Sequence, residues 1–277
     1  MKQTTDADYI QQLITEGEHV HQDFKFAISD ARKIAKSLSA FANTGGGRLL
    51  IGVKDNGKIA GIRSEEELYM IEAAATMYCK PSLQLDNRLY KVEGKDVLEV
   101  YVPESKEKPV YALDEDNRPK AYLRIKDETI LATPVHLNVW FHNKEEVVVT
   151  YTEKEQSILN LVGQHGELTL NKCVRLSGLP RKLVIGLLAD FIRFDLVEPV
   201  FREHTFYFKL KVTTKKRNAE RYSDRIELQG FQSCFRLFVK PSQSPLKPNQ
   251  DAATLLVRNH ARNGDKRTRI TKQGVKD

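Results

Sequence analysis

The chain has 277 residues, enough for two domains that each bury a core of their own. No apolar run approaches the roughly 20 residues of a spanning helix, Met1–Ala7 is polar, and Cys79, Cys173 and Cys234 stand far apart. These features exclude a membrane-spanning helix, a disulfide framework and a zinc knuckle, and set the expectation of a soluble, cytoplasmic chain with reduced thiols. The net charge of +7 is uneven: residues 211–277 hold 16 Lys and Arg against 6 Asp and Glu, or +10, which leaves 1–210 at −3. A polyanion-binding surface on the body must therefore be a local patch.

In chain order, Ile10, Leu13 and Ile14 repeat at helical spacing over Asp6–Glu16, with Asp8 as the expected cap. Phe24 and Phe26 alternate with Lys25 in a strand over His21–Ala27. Ser29 or Asp30 caps a helix over Ala31–Phe41 that ends at Asn43-Thr44-Gly45-Gly46-Gly47. Arg48–Val53 reads as a buried strand, and Lys54-Asp55-Asn56-Gly57-Lys58 as a hairpin turn. A helix over Glu65–Cys79 stops before Pro81, and strands follow at Gln84–Val92, Asp96–Val102 and Ala121–Ile125. Pro103–Pro119 is charged and proline-bearing, the composition of a long surface loop. The expected class is α+β, a mixed or antiparallel sheet with helices.

Around Trp140–Val149 the pattern changes; Trp140 and Phe141 read as core or interdomain packing. Thr152-Glu153-Lys154-Glu155 is a capping box opening an amphipathic helix. A short strand at Leu168–Leu170, a helix at Asn171–Leu176, a turn at Ser177-Gly178-Leu179, a helix at Pro180–Phe194 and a hairpin over Val197–Leu210 follow. That is the element order of a winged helix-turn-helix. Residues 211–277 are basic and without periodicity, the composition of a disordered tail, apart from a short apolar piece at Leu228–Val239. The expected division is 1–145, 150–210 and 211–277.

The densest constellation is Glu16-Gly17-Glu18, Gln22-Asp23-Phe24-Lys25, Leu38–Gly47, Leu50–Gly57 and Ala60-Gly61-Ile62, continued by Lys108-Pro109-Val110-Tyr111 and Ala121-Tyr122-Leu123-Arg124. In this order it resembles the Schlafen-type AlbA domain over roughly half the chain. The resemblance implies a nucleic-acid-binding protein, DNA or RNA, of bacterial type, with a transcriptional regulator as one form; homo-oligomerisation is left open. In ribonuclease-type members, the positions matching Glu18, Asp23 and Asp55 hold a divalent Mg2+ or Mn2+ that activates water for phosphodiester cleavage, with Lys25 able to steady a phosphate, so the resemblance implies a metal-dependent endoribonuclease as the enzyme alternative to a binding protein. Asp23 replaces the family's Glu and is shorter by one methylene. The alternative is a solvated acidic edge with a turn-forming Asp55, in which no cofactor is required.

Asn43, Gly45, Gly46 and Gly47 form a tight reversal that could admit a phosphate or could simply permit the helix-to-strand turn. Without a Walker lysine motif, ATP or other nucleotide binding ranks last. Expected nucleic-acid contacts are Lys25 and Arg124 in the first domain, and Arg175, Arg181, Lys182 and Arg202 in the second, with Arg193 extending them.

Overall fold

The computed structural model describes residues 5–62, 65–142, 148–211 and 253–256. The first helix, α1 (Asp6–Glu16), is capped by Thr5, whose side chain accepts from Asp8 N, while the Asp8 carboxylate accepts from Thr5 N. The cap thus sits before Asp6, and Asp8 is the reciprocal member of a capping box. β1 (Gln22–Lys25), α2 (Ala31–Asn43, capped by Asp30), β2 (Gly47–Ile51), α3 (Glu66–Thr76), β3 (Cys79–Lys80), β4 (Asp86–Val92), β5 (Lys95–Val102), β6 (Tyr111–Leu113), β7 (Pro119–Ile125) and β8 (Glu128–Leu131) follow.

Two four-stranded sheets result, in the orders β1-β2-β5-β4 and β3-β6-β7-β8. The first is mixed: β1 runs parallel to β2 with Asp23 opposite Leu49, whereas β2, β5 and β4 are antiparallel. Alternation along the strands sends Phe24, Leu50 and Val97 under Ile10 and Leu13 of α1. Leu49, Ile51, Leu98 and Val100 go to the opposite face, against Leu38 and Phe41 of α2 and Ile71 of α3. The other side of α2 carries the second sheet, through Val110 and Ala112. This corrects the expectation of a bare loop over Pro103–Pro119. Val110 and Ala112 are buried apolar residues two apart, and they dock β6 despite its charged flanks.

The remaining elements are α4 (Pro134–His142), β9 (Val148–Tyr151), α5 (Glu153–His165), β10 (Glu167–Thr169), α6 (Leu170–Ser177), α7 (Arg181–Arg193), β11 (Val197–Arg202), β12 (Thr205–Leu210) and β13 (Ala253–Leu256). Ile158, Leu159 and Val162 of α5, Val184, Leu188 and Phe191 of α7, and Phe208 of β12 make a second core. α4 joins it through Val135 and packs on α7. Trp140 is half-buried, but Phe141 is 56 % exposed, so it is not the packing residue its hydrophobicity suggested. Thr152 closes the expected capping box with Glu155. The hairpin β11–β12 takes β10 as a third strand, in the order β10-β12-β11. In the C-terminal segment, β13 pairs antiparallel with β9, Leu255 opposite Val149. The apolar piece at Leu228–Val239 lies outside the described residues, as does the rest of the tail beyond Lys211 apart from β13.

Candidate nucleic-acid interface

β1 is the edge of its sheet, and an open strand edge exposes unpaired N–H and C=O groups. Here each outward-facing group of Gln22 and Phe24 has a partner. Gln22 N donates to His19 O (3.1 Å), and Gln22 O accepts from Arg124 Nη2 (3.3 Å). Phe24 N donates to Glu18 Oε1 (2.9 Å), and Phe24 O accepts from Lys25 Nζ (2.8 Å). Asp23 ties the two cations together, with Oδ1 3.0 Å from Arg124 Nη2 and Oδ2 2.6 Å from Lys25 Nζ, the latter an ion pair rather than a directed hydrogen bond. Glu18, Asp23, Lys25 and Arg124 therefore close the strand edge and clasp it to β7 of the second sheet.

The electrostatics follow from that packing. Burial and the hydrogen bond to Asp23 push the Glu18 carboxyl up, so it holds a proton more readily than a free glutamate. Asp23 moves the other way: burial opposes its charge, but Lys25, the proton of Glu18 and Arg124 together keep it below the usual carboxylate range. Asp55 lies apart in an exposed turn closed by Lys54 N to Lys58 O (3.1 Å) and Gly57 N to Lys54 O (2.8 Å). Among the described residues no group of three His, Cys, Asp or Glu is placed to hold a metal ion. The expected trio is thus not assembled, and the donor set does not fit Mg2+ or Mn2+, since Glu18 and Asp23 are already engaged by a backbone N–H and two cations. Arg124 is also corrected: 3 % exposed, stacked 5.2 Å from the Phe41 ring and donating to Thr129 Oγ1, it is an internal clamp rather than a phosphate contact. Lys25 is partly exposed, with its charge committed to Asp23.

The glycine segment likewise resolves towards structure. Asn43 is buried; its Nδ2 donates to Val110 O (2.9 Å) and Tyr122 O (3.0 Å), and its Oδ1 accepts from Val110 N (2.8 Å). The side chain is consumed in pinning the second sheet to α2. Gly46, at φ 77°, donates its N–H to Phe41 O, and a Cβ there would stand 2.9 Å from Val102 O. At Gly47 a Cβ would meet the Phe41 ring at 2.3 Å. These glycines are demanded by close backbone approach and a left-handed turn, and Gly45 (φ 95°) completes it beside His21. The turn is full of protein, not shaped as an open phosphate cradle.

In the second module the basic residues divide. Arg175, Arg181 and Lys182 are exposed, as is Lys172, which the sequence reading passed over although its spacing from Arg175 places both on one face of α6. Among the described residues none of these four has an acidic partner; Arg181 Nη1 donates to Asn171 Oδ1 (2.6 Å), which holds the start of α7 to α6. Gly178 turns the chain in the left-handed region and Pro180 opens α7, where no side chain caps the first turn. Arg193 instead has a 1 % exposed side chain and is paired to Asp190 (3.3 Å), so it does not extend the contact. Arg202 is exposed on the hairpin and paired to Glu167 (2.9 Å).

The first module is therefore a helix-sandwiched α+β domain whose motif residues serve its architecture, joined to a smaller helical module with an exposed basic face. Residues 18–133 match the family described as Schlafen, AlbA_2. Among solved structures, the chain is similar to the N-terminal domain of a protein from Nitrosomonas europaea described as related to the ATP-dependent DNA helicase RecG. The identity is 25 % and the TM-score 0.34, over 44 % of this chain and 89 % of that one. It is also similar to the DIP2311 protein of Corynebacterium diphtheriae, at 15 % identity and a TM-score of 0.37, over 68 % of this chain but only 34 % of that one. No curated protein matches it. Among the described residues, no helix is long and apolar enough to cross a membrane.

Proposed function

We propose that this chain is a nucleic-acid-binding protein in which the second module acts as a winged helix-turn-helix and holds duplex phosphates at the junction of α6 and α7. The observation that carries the reading is that Lys172 and Arg175 on α6, and Arg181 and Lys182 in the uncapped first turn of α7, are exposed and without acidic partners among the described residues, with Arg181 bonded to Asn171 across the two helices. Four cations beside a helix N-terminus suit phosphate oxygens, which accept hydrogen bonds and favour the positive end of the helix dipole. The hairpin β11–β12, with Arg202 and His204 at its tip, supplies the wing in this reading. The match to the Schlafen, AlbA_2 family supports the same class of partner. A regulator of transcription is the finer form of this reading, and it requires selectivity among duplex sequences.

The test is binding of the full chain to duplex DNA across a salt series, comparing wild type with Arg181→Ala/Lys182→Ala. Loss of two phosphate contacts should reduce the slope of log K against log salt by about 2 and weaken binding to all sequences alike. An unchanged slope in a folded variant would sink the duplex reading.

A further inference from the structure

The first domain carries a second arrangement, on the α1 face of its first sheet across β2, β5 and β4. α1 covers one face of the sheet as far as the row Leu50–Glu99–Arg88, where Tyr9 OH donates to Glu99 Oε1 (3.0 Å). The next row across β2, β5 and β4 is Arg48–Tyr101–Asp86, and Tyr101 at its centre is 45 % exposed. Directly opposed residues in such rows stand about 5 Å apart, and diagonal ones about 7–8 Å. Tyr101 is therefore flanked by Arg48 on one side and, diagonally, by Arg88 on the other.

The arginines are held but not used up. Glu99, buried, accepts from Tyr9 OH, Tyr90 OH (3.1 Å) and Arg48 Nη1 (3.5 Å), so its charge is dispersed over three donors. Among the described residues the polar contacts of Arg48 run through Nη1 alone, to Glu99 and Tyr9 OH, which leaves the donors of Nε and Nη2 uncommitted. Arg88 meets Asp86 at 3.2 Å in a pair with both side chains more than half exposed, a contact that solvent screens and a phosphate can replace.

We propose that Tyr101, with Arg48 and Arg88, is a stacking platform for single-stranded nucleic acid. A flat strand row presents the tyrosine ring to an unpaired base, and guanidinium groups on either side reach the flanking phosphates; a duplex, whose bases are already stacked, cannot use such a surface. The proposal deepens the nucleic-acid reading and rests on it, but it assigns single strands to the first domain and duplex to the second.

The experiment is fluorescence anisotropy with the full chain and labelled oligouridylate and oligothymidylate of about 12 nucleotides, beside a duplex of equal length. Tyr101→Ala should weaken both single strands by roughly 5- to 100-fold, whereas Tyr101→Phe, which keeps the ring, should bind as wild type. An abasic strand of the same charge should bind wild type as weakly as the normal strand binds the alanine variant. Preference for one strand over the other identifies the 2′-hydroxyl or the thymine 5-methyl group as a further contact, with the Tyr101 effect expected on both strands. Single strands that bind folded Tyr101→Ala as tightly as wild type, or fail to bind wild type at all, would overturn the assignment. Arg181→Ala/Lys182→Ala reports separately on the duplex reading: loss of duplex binding with single-strand binding intact leaves that reading standing whatever becomes of Tyr101.

Discussion

Replacing Asn43 by Ala separates a structural clamp from a phosphate-binding role. In the folded chain the Asn43 amide satisfies three backbone groups, the buried Val110 N and Val110 O and the partly buried Tyr122 O, at 2.8, 2.9 and 3.0 Å. Ser39 Oγ also donates to Val110 O (2.8 Å), so that carbonyl keeps one partner in the variant. Two groups are orphaned outright, each at about 1–3 kcal/mol, and about 1 kcal/mol goes with the third bond. The expected loss is therefore about 3–7 kcal/mol, a large part of the stability of a domain of this size. Equilibrium urea unfolding, read by tryptophan-independent far-UV signal, gives the value, and the melting temperature should fall by roughly 4 °C per kcal/mol. A loss below about 1 kcal/mol, together with weakened binding of nucleotide or nucleic acid, would refute the clamp and restore the phosphate reading.

Two further outcomes test the clasp and the α4 junction. Arg124→Met leaves Asp23 buried with Lys25 as its one remaining cation and should cost about 3–5 kcal/mol, while Asp23→Leu combined with Arg124→Met should recover part of that loss; thermal melts of the four proteins decide it. Burial lowers the pKa of His136, half-buried against Phe206 at 4.6 Å, to about 4. The unfolded imidazole takes up its proton near pH 6.5 and the folded one only near 4. Stability should therefore fall as the pH drops through that window, by up to about 3 kcal/mol and less for the partly exposed ring, and His136→Phe should flatten this dependence. An equally steep acid slope in His136→Phe would show that other groups carry it.

What could be read from the sequence was whatever depends on neighbours along the chain. Helical spacing placed α1, α2, α5 and α7; the hairpin chemistry of Asp55-Asn56-Gly57 and the capping box at Thr152 need no distant partner, and both formed as expected. The Schlafen AlbA resemblance was legible because its motif is a fixed order of local patterns. What the tertiary structure decided was the use of each charge. Arg124 and Arg193 look like surface cations beside apolar neighbours, and nothing local distinguishes them from Arg175 or Lys182; only the arrival of β1 beside Arg124, and the packing around α7, made them internal. Asp23 and Asp55 lie 32 positions apart, and whether they share an ion depends on the path between. Asp23 is on a strand edge that needed closing, Asp55 is on an exposed turn, and the carboxylates went to the partners that burial made most costly to leave alone.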